Sequence, residues 1–220
     1  MIEILNSLPL FLCLAAFICS AFAAILGQGG GLILITILVG HFPSQLLIPI
    51  HGTIQASSNG SRAFLALPHI KWPIILPVIA GTIIGALIIT PFIPSLNWQW
   101  LQGIIAIFIL WMTWGNGINI SRNFKGALPF LGIIQGALGM ALGATGPLGN
   151  ALLLKHGLNK HQLVASNAVI MFTSHIMKII IFTLIGTQLI QYWPSIFALC
   201  ISSVFGSFSG TPLRNKLPEK

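Results

Sequence analysis

Long apolar runs recur along nearly the whole chain, near residues 8–26, 44–67, 73–91, 98–116, 127–143, 160–187 and 193–210. Roughly 17–25 such residues carry a helix across a bilayer. Two further apolar stretches, 30–40 and 146–156, are too short to cross alone. The pattern predicts an all-α fold: a polytopic transmembrane helical bundle forming a single integral membrane domain over 1–220. Each short stretch follows a glycine-rich break. The first break is "LGQGGGLILI", 26–35, with Gln28 and four glycines, Gly27, Gly29, Gly30 and Gly31; the second is "LGATGPLGNA", 142–151. Glycine inside a helix costs roughly 1 kcal/mol relative to alanine, so these breaks interrupt helices that would otherwise continue.

The two breaks belong to an internal repeat. At a shift of 116 residues, Gly27 lies over Gly143, Gly30 over Gly146, Ser58 over Ser174 and Arg62 over Lys178. Only 8 of the 37 aligned pairs are identical, so a second block is needed to support the register. At a shift of 121, Trp72-Pro73 lies over Trp193-Pro194, Gly85 over Gly206 and Thr90-Pro91 over Thr211-Pro212. Repeat one is expected over 8–116 and repeat two over 127–220, the latter lacking the final helix. That absence predicts an apolar groove beside 193–210, and hence a homo-oligomer or a truncated chain. Other glycine pairs, Gly81/Gly85, Gly132/Gly136 and Gly139/Gly143, have the spacing that lets helices approach closely.

Charge supplies the orientation. Charged residues are 5% of the chain and the net charge is +8. The basic residues are scattered and are not interleaved with aromatics, which argues against nucleic acid. If every segment crosses, Lys71, Arg122, Lys125, Lys155, Lys160, Arg214, Lys216 and Lys220 fall on one side, and the opposite loops hold no Lys or Arg. The positive-inside rule makes that side cytoplasmic, with the N-terminus outside and the C-terminus inside. An odd number of segments in repeat one then makes the repeats inverted. Residues 8–26 resemble a signal peptide in length, but Glu3 replaces the expected basic n-region, so the segment is read as a retained helix. Cys13, Cys19 and Cys200 all lie in apolar runs, and neither a disulfide nor a metal site is expected.

Candidate chemistry collects on the broken helices and on the polar helices that follow them. Freed N–H groups at a helix N-terminus favour an anion, and paired breaks point to a substrate site near the midplane. The proposed substrate-binding set is Gln28, Gly29, Gly30, Gly31, Ser58, Asn59, Arg62, Thr145, Gly146, Ser174, His175 and Lys178. Arg62 and Lys178 are intramembrane cations, either functional or snorkelling to an interface. His51 and His175 either carry a coupling proton or take part in ordinary interhelical hydrogen bonding with their polar neighbours. The only acids, Glu3 and Glu219, are near the ends of the sequence, which disfavours cation conduction and suits a small anionic substrate. No HExxH or GxSxG pattern is present, so no catalytic residue, metal or cofactor is expected.

These motifs, "GQGGGLILITILVG", a polar helix, a "WP" helix with spaced glycines, and the degenerate copy "GATGPLG" through "WPSIFALCISSVFG", resemble the TauE/SafE family over nearly the whole chain. The resemblance implies a duplicated or inverted bundle in the inner membrane that exports small anions such as sulfite or sulfonates. Thr145 and Pro147 stand where the first break has Gly29 and Gly31. The alternative is a non-transporting membrane subunit or a truncated transporter-like protein. The orientation is testable: reporter fusions at residue 220 and in the 122–125 loop should both read as cytoplasmic, and a periplasmic signal at either would reverse the topology.

Overall fold

The computed structural model describes residues 10–96, 100–114 and 126–216. Among them the chain forms helices and no strands. The expectations placed on Glu3, Arg122, Lys125, Glu219 and Lys220 fall outside these residues. In chain order the helices are α1 (Leu10–Leu26), α2 (Gly30–Leu38), α3 (Ser44–Leu65), α4 (Trp72–Ile89), α5 (Leu101–Trp114), α6 (Ala127–Leu142), α7 (Gly146–Lys155), α8 (Lys160–Leu184) and α9 (Trp193–Lys216). Three helical stretches, Trp72–Ser95, Lys160–Leu184 and Ile190–Arg214, are long and apolar enough to cross a membrane. Helices α1 and α6, at 17 and 16 residues, rise only about 25 Å at 1.5 Å per residue. Each is followed by a short helix, α2 or α7.

Why the chain turns after α1 and α6 is visible in the backbone. Gly27 has φ +84° and Gly143 φ +85°, in the left-handed region that a Cβ makes costly. Gly143 is the C-cap of α6, its N–H bonded to Gly139 O. Gly27 N–H bonds Ala23 O at 2.8 Å in the same way. Both helices thus end on a left-handed glycine, the usual device for stopping a helix.

The halves interlock. Helix α1 packs along α9, α4 along α6, and α3 along α8. A Cβ on Gly206 or Gly210 of α9 would strike the carbonyl of Phe17 or Ala21 of α1. One on Gly81 or Gly85 of α4 would strike the carbonyl of Pro129 or Ile133 of α6, and Gly132 and Gly136 meet the carbonyls of Val78 and Thr82 in return. The contact positions advance together, so both pairs run parallel at backbone-to-backbone distance. Two of the expected close-packing glycine pairs therefore act as such. Gly139 instead faces the side chains of Ser174 and Thr145. Helices α3 and α8 run antiparallel, with Gly52 against Lys178 and Gly60 against Phe172.

Helix α5 seats chiefly against α6 and not against α4. There Phe108 joins Leu142 and Leu148 in a small apolar cluster. The glycine faces of α4 and α6 have already brought those two helices together. The outer face of α9 remains apolar and exposed at Trp193, Phe197, Ile201, Phe205 and Phe208, as suits a helix against lipid. At one end of the bundle, Lys71 N–H donates to Ser166 Oγ at 3.1 Å and Lys160 Nζ to Arg214 O at 2.7 Å, so three of the basic residues share one end.

The α4–α6 contact leaves no room for a side chain. Substituting Gly85 with leucine should lower stability by about 1–3 kcal/mol, the range for overpacking a filled interface. A thermal melt of the purified variant reads this, and an unchanged melting temperature would contradict the close approach.

Candidate functional site

The site is built where the two breaks meet the middle of α3 and α8. A cavity of about 30 Å3 lies between them. Its lining falls into pairs separated by 116 residues: Gln28 with Ala144, Gly29 with Thr145, Gly31 with Pro147, His51 with Asn167, Gln55 with Met171, and Asn59 with His175. Ala23, Gly27, Leu32, Arg62 and Gly146 complete it. On α3 the contributing positions are 51, 55, 59 and 62, spaced by four, four and three, which is one face of a helix. Positions 167, 171 and 175 do the same on α8.

Arg62 is the cation of this cavity, and it is 4% exposed. Its Nη1 donates to Ala23 O of α1 at 2.9 Å and its Nε to Ser58 O at 3.5 Å. Its Nη2 donates to Asn59 Oδ1. Ala23 lies in the last turn of α1, at the negative end of the helix dipole, and its carbonyl accepts from Arg62 as well as from Gly27 N–H. Asn59 is held in turn, its Nδ2 donating to Gln55 O at 2.8 Å. Guanidinium, amide and helix end thus form one connected group.

Lys178, 116 residues on from Arg62, is used differently. It is 1% exposed, and its Nζ donates to Gly143 O at 2.6 Å and to His175 Nδ1 at 3.2 Å. It secures the C-terminal end of α6 and orients His175, and it does not line the cavity. The His175 ring meets His51 edge-on, with centroids 5.8 Å apart. His51 Nε2 donates to Gly31 O at 2.9 Å, while its Nδ1 is buried without a hydrogen-bond partner. Asn167 Nδ2 donates to Gly27 O at 3.2 Å, leaving its Oδ1 similarly unpartnered. Across the mouth, Asn150 Nδ2 donates to Gln28 Oε1 at 2.6 Å, tying α7 to the first break.

Of the twelve residues picked from the sequence, Gln28, Gly29, Gly31, Asn59, Arg62, Thr145, Gly146 and His175 line the cavity. The other four do not. Gly30 packs on the Cys19 carbonyl and the Ala23 methyl. Ser58 meets Ser207 of α9 at 3.3 Å. Ser174 lies against Gly139, and Lys178 grips Gly143. The site set drawn from the sequence omitted His51, Gln55, Asn167 and Met171. Their four-residue spacing, repeated in both halves, is the signal that finds them. Thr145 carries a second role: its Oγ1 donates to Gln135 O at 3.3 Å, and Gln135 Nε2 donates back to Thr145 O, so the second break is laced to α6. Among the described residues no cluster of His, Cys, Asp or Glu could hold a metal.

If Lys178 is a fastener, replacing it with methionine strips the Gly143 carbonyl of its charged partner. A hydrogen bond to a charged group is worth about 1.5–3 kcal/mol, so the Lys178→Met melting temperature should fall even without substrate. A variant as stable as the parent would contradict that role.

The cavity joins freed helix ends to one arginine, and no acidic side chain occurs among the described residues. It has the chemistry to hold a small anion. Comparison with curated proteins and with solved structures returns no match. The family model described as sulfite exporter TauE/SafE matches residues 12–220. With that match covering nearly the whole chain, and with helices long and apolar enough to cross a membrane, the chain belongs to the TauE/SafE sulfite exporter family, a family of membrane transporters and not of enzymes.

Proposed function

We propose that this chain exports a small oxyanion such as sulfite, or a sulfonate or related organosulfur acid, across the cell membrane through the cavity between the glycine breaks. The observation that carries the reading is Arg62, a buried guanidinium lining a cavity beside two helix N-termini, with no acidic side chain among the described residues to neutralise it. Backbone N–H groups of α2 and α7 supply directional hydrogen bonds, and the guanidinium supplies charge where the dielectric is low.

An inverted pair of repeats with broken helices fits this role. The pairing of lining residues at a spacing of 116 supports it, as does the antiparallel crossing of the equivalent helices α3 and α8. Alternating access then follows from one half rocking against the other about the cavity. At about 30 Å3 the cavity has room for little more than water, so an oxyanion enters as the breaks part on one side. The gathering of Lys71, Lys160 and Arg214 at one end supports that end as the cytoplasmic one, with the N-terminus outside.

Two substitutions test the reading. Arg62→Gln keeps polarity but removes the charge. It should weaken sulfite binding by about 1–3 kcal/mol, the scale of a charge-assisted hydrogen bond. Gly146 offers the steric test, because a Cβ there would point at Met171 Sδ and Asn167 Nδ2, 3.6 and 3.9 Å away, both of lining residues. Gly146→Leu should fill the cavity and abolish sulfite efflux from loaded proteoliposomes while the fold melts normally. Gly30 is the wrong place for this experiment, because bulk there strikes the α1 backbone. Unchanged affinity in Arg62→Gln together with undiminished flux in Gly146→Leu would remove the cavity from the transport path.

A further inference from the structure

Arg62 is not the only guanidinium buried at its end of the bundle. Arg214, near the end of α9, is 2% exposed, and its Nε and Nη1 are buried with no hydrogen-bond partner. An ionised group in that state is costly, and native structures keep one only for a reason. Every guanidinium nitrogen of Arg62 makes a hydrogen bond, to Ala23, Ser58 or Asn59, whereas Nε and Nη1 of Arg214 make none.

The helix register places the two arginines together. Helices α3 and α9 are joined in parallel by Ser203 Oγ donating to Ile54 O at 3.3 Å and Ser207 Oγ donating to Ser58 O at 3.1 Å. Helix α1 runs beside both, with Gly210 of α9 on Ala21 and Arg62 of α3 on Ala23. By the 149-residue offset of those two hydrogen bonds Thr211 is level with Arg62, and Arg214 lies one turn further on, at the end where Lys160 Nζ holds the Arg214 carbonyl. Two arginines buried at levels one helical turn apart, one with open donors, are stable when an anion lies between or beside them, because a guanidinium binds an oxyanion through paired N–H bonds.

We infer that Arg214 and Arg62 form a second anion station between α1, α3 and α9, on the basic side of the central cavity, which takes an oxyanion from the cytoplasm and passes it inward to the glycine breaks. The inference rests on the transport reading above and adds a capture step to it. Its chemistry is that of a singly or doubly charged oxyanion with at least two oxygens, the same chemistry as a lipid phosphate, and the test separates the two sources.

The experiment uses purified full-length chain in nanodiscs, with sodium sulfite as the probe. Binding is titrated, and melting is followed with and without sulfite, for the parent, Arg214→Gln and Arg214→Lys. A ligand that binds the folded state raises its melting point by mass action. The parent should gain stability with sulfite. Arg214→Gln should bind sulfite roughly tenfold more weakly, the lower end for a lost charge-assisted hydrogen bond, and gain correspondingly less. Arg214→Lys should recover part of the affinity. Arg214→Gln should also fold at least as well as the parent without sulfite, because it removes an unpaired buried charge. Titrations are run in discs with and without anionic lipid. If Arg214→Gln changes only the dependence on anionic lipid and leaves sulfite affinity intact, the guanidinium holds a headgroup and the inference is overturned. If parent and Arg214→Gln bind sulfite equally in both discs, it is likewise overturned, while the central-cavity reading stands. If the parent binds no sulfite or sulfonate at all, the transport reading itself falls.

Discussion

The structure depends on how a membrane interior accommodates positive charge without carboxylates. Arg62, Lys178 and Arg214 are all nearly inaccessible, and the chain's two acidic residues, Glu3 and Glu219, lie outside the described residues. A buried cation normally takes a carboxylate partner. Here the partners are backbone carbonyls at interrupted helix ends: Ala23 O for Arg62 and Gly143 O for Lys178. Each break supplies its own counter-dipole. Ending α1 and α6 early puts carbonyl dipoles at the breaks, and the cation of the following long helix meets one at each: Ala23 O, which also accepts from Gly27 N–H, and Gly143 O. Starting α2 and α7 immediately afterwards leaves N–H groups beside the cavity. A cation meets a backbone carbonyl at each break, and of the two only Arg62 lines the cavity.

The two buried cations, 116 residues apart, are used differently. Arg62 has enough donors to bind its helix end and still line the cavity, because a guanidinium carries five N–H groups in a fixed fork. Lys178 has three donors on a single atom and turns them to Gly143 O and His175 Nδ1. The repeat pairs the two by position, but the geometry gives the arginine to the cavity and the lysine to the scaffold.

Much of this was legible in the sequence. The segment expected over 30–40 is the helix Gly30–Leu38, and that expected over 44–67 is Ser44–Leu65, because apolar runs bounded by glycine or proline mark helix limits directly. The register at 116, weak in identities, aligns the lining of the cavity position by position. Choosing side chains was harder. Ser58 looked like a neighbour of Asn59, yet the two point to different faces: 51, 55, 59 and 62 toward the cavity, 54 and 58 toward α9. Sequence adjacency in a helix is about 100° of rotation, and residues chosen by proximity scatter around the axis. The position of α5 was not legible at all, since nothing in its uniformly apolar sequence distinguishes α4 from α6 as a partner.

The parallel pairing of α1 with α9 also bears on biogenesis. From Leu26 to Trp193 the ribosome adds 167 residues, which at 5–20 residues per second takes on the order of 10–30 s. Throughout that interval α1 is in the bilayer without the glycine face of α9 that its backbone is shaped to meet. Its apolar exterior is tolerable to lipid, but Ser20, fully buried in the finished fold, has no such shelter until α9 arrives. The early helices must therefore be held loosely, by the insertion machinery or by one another, until α9 is made and seats against α1.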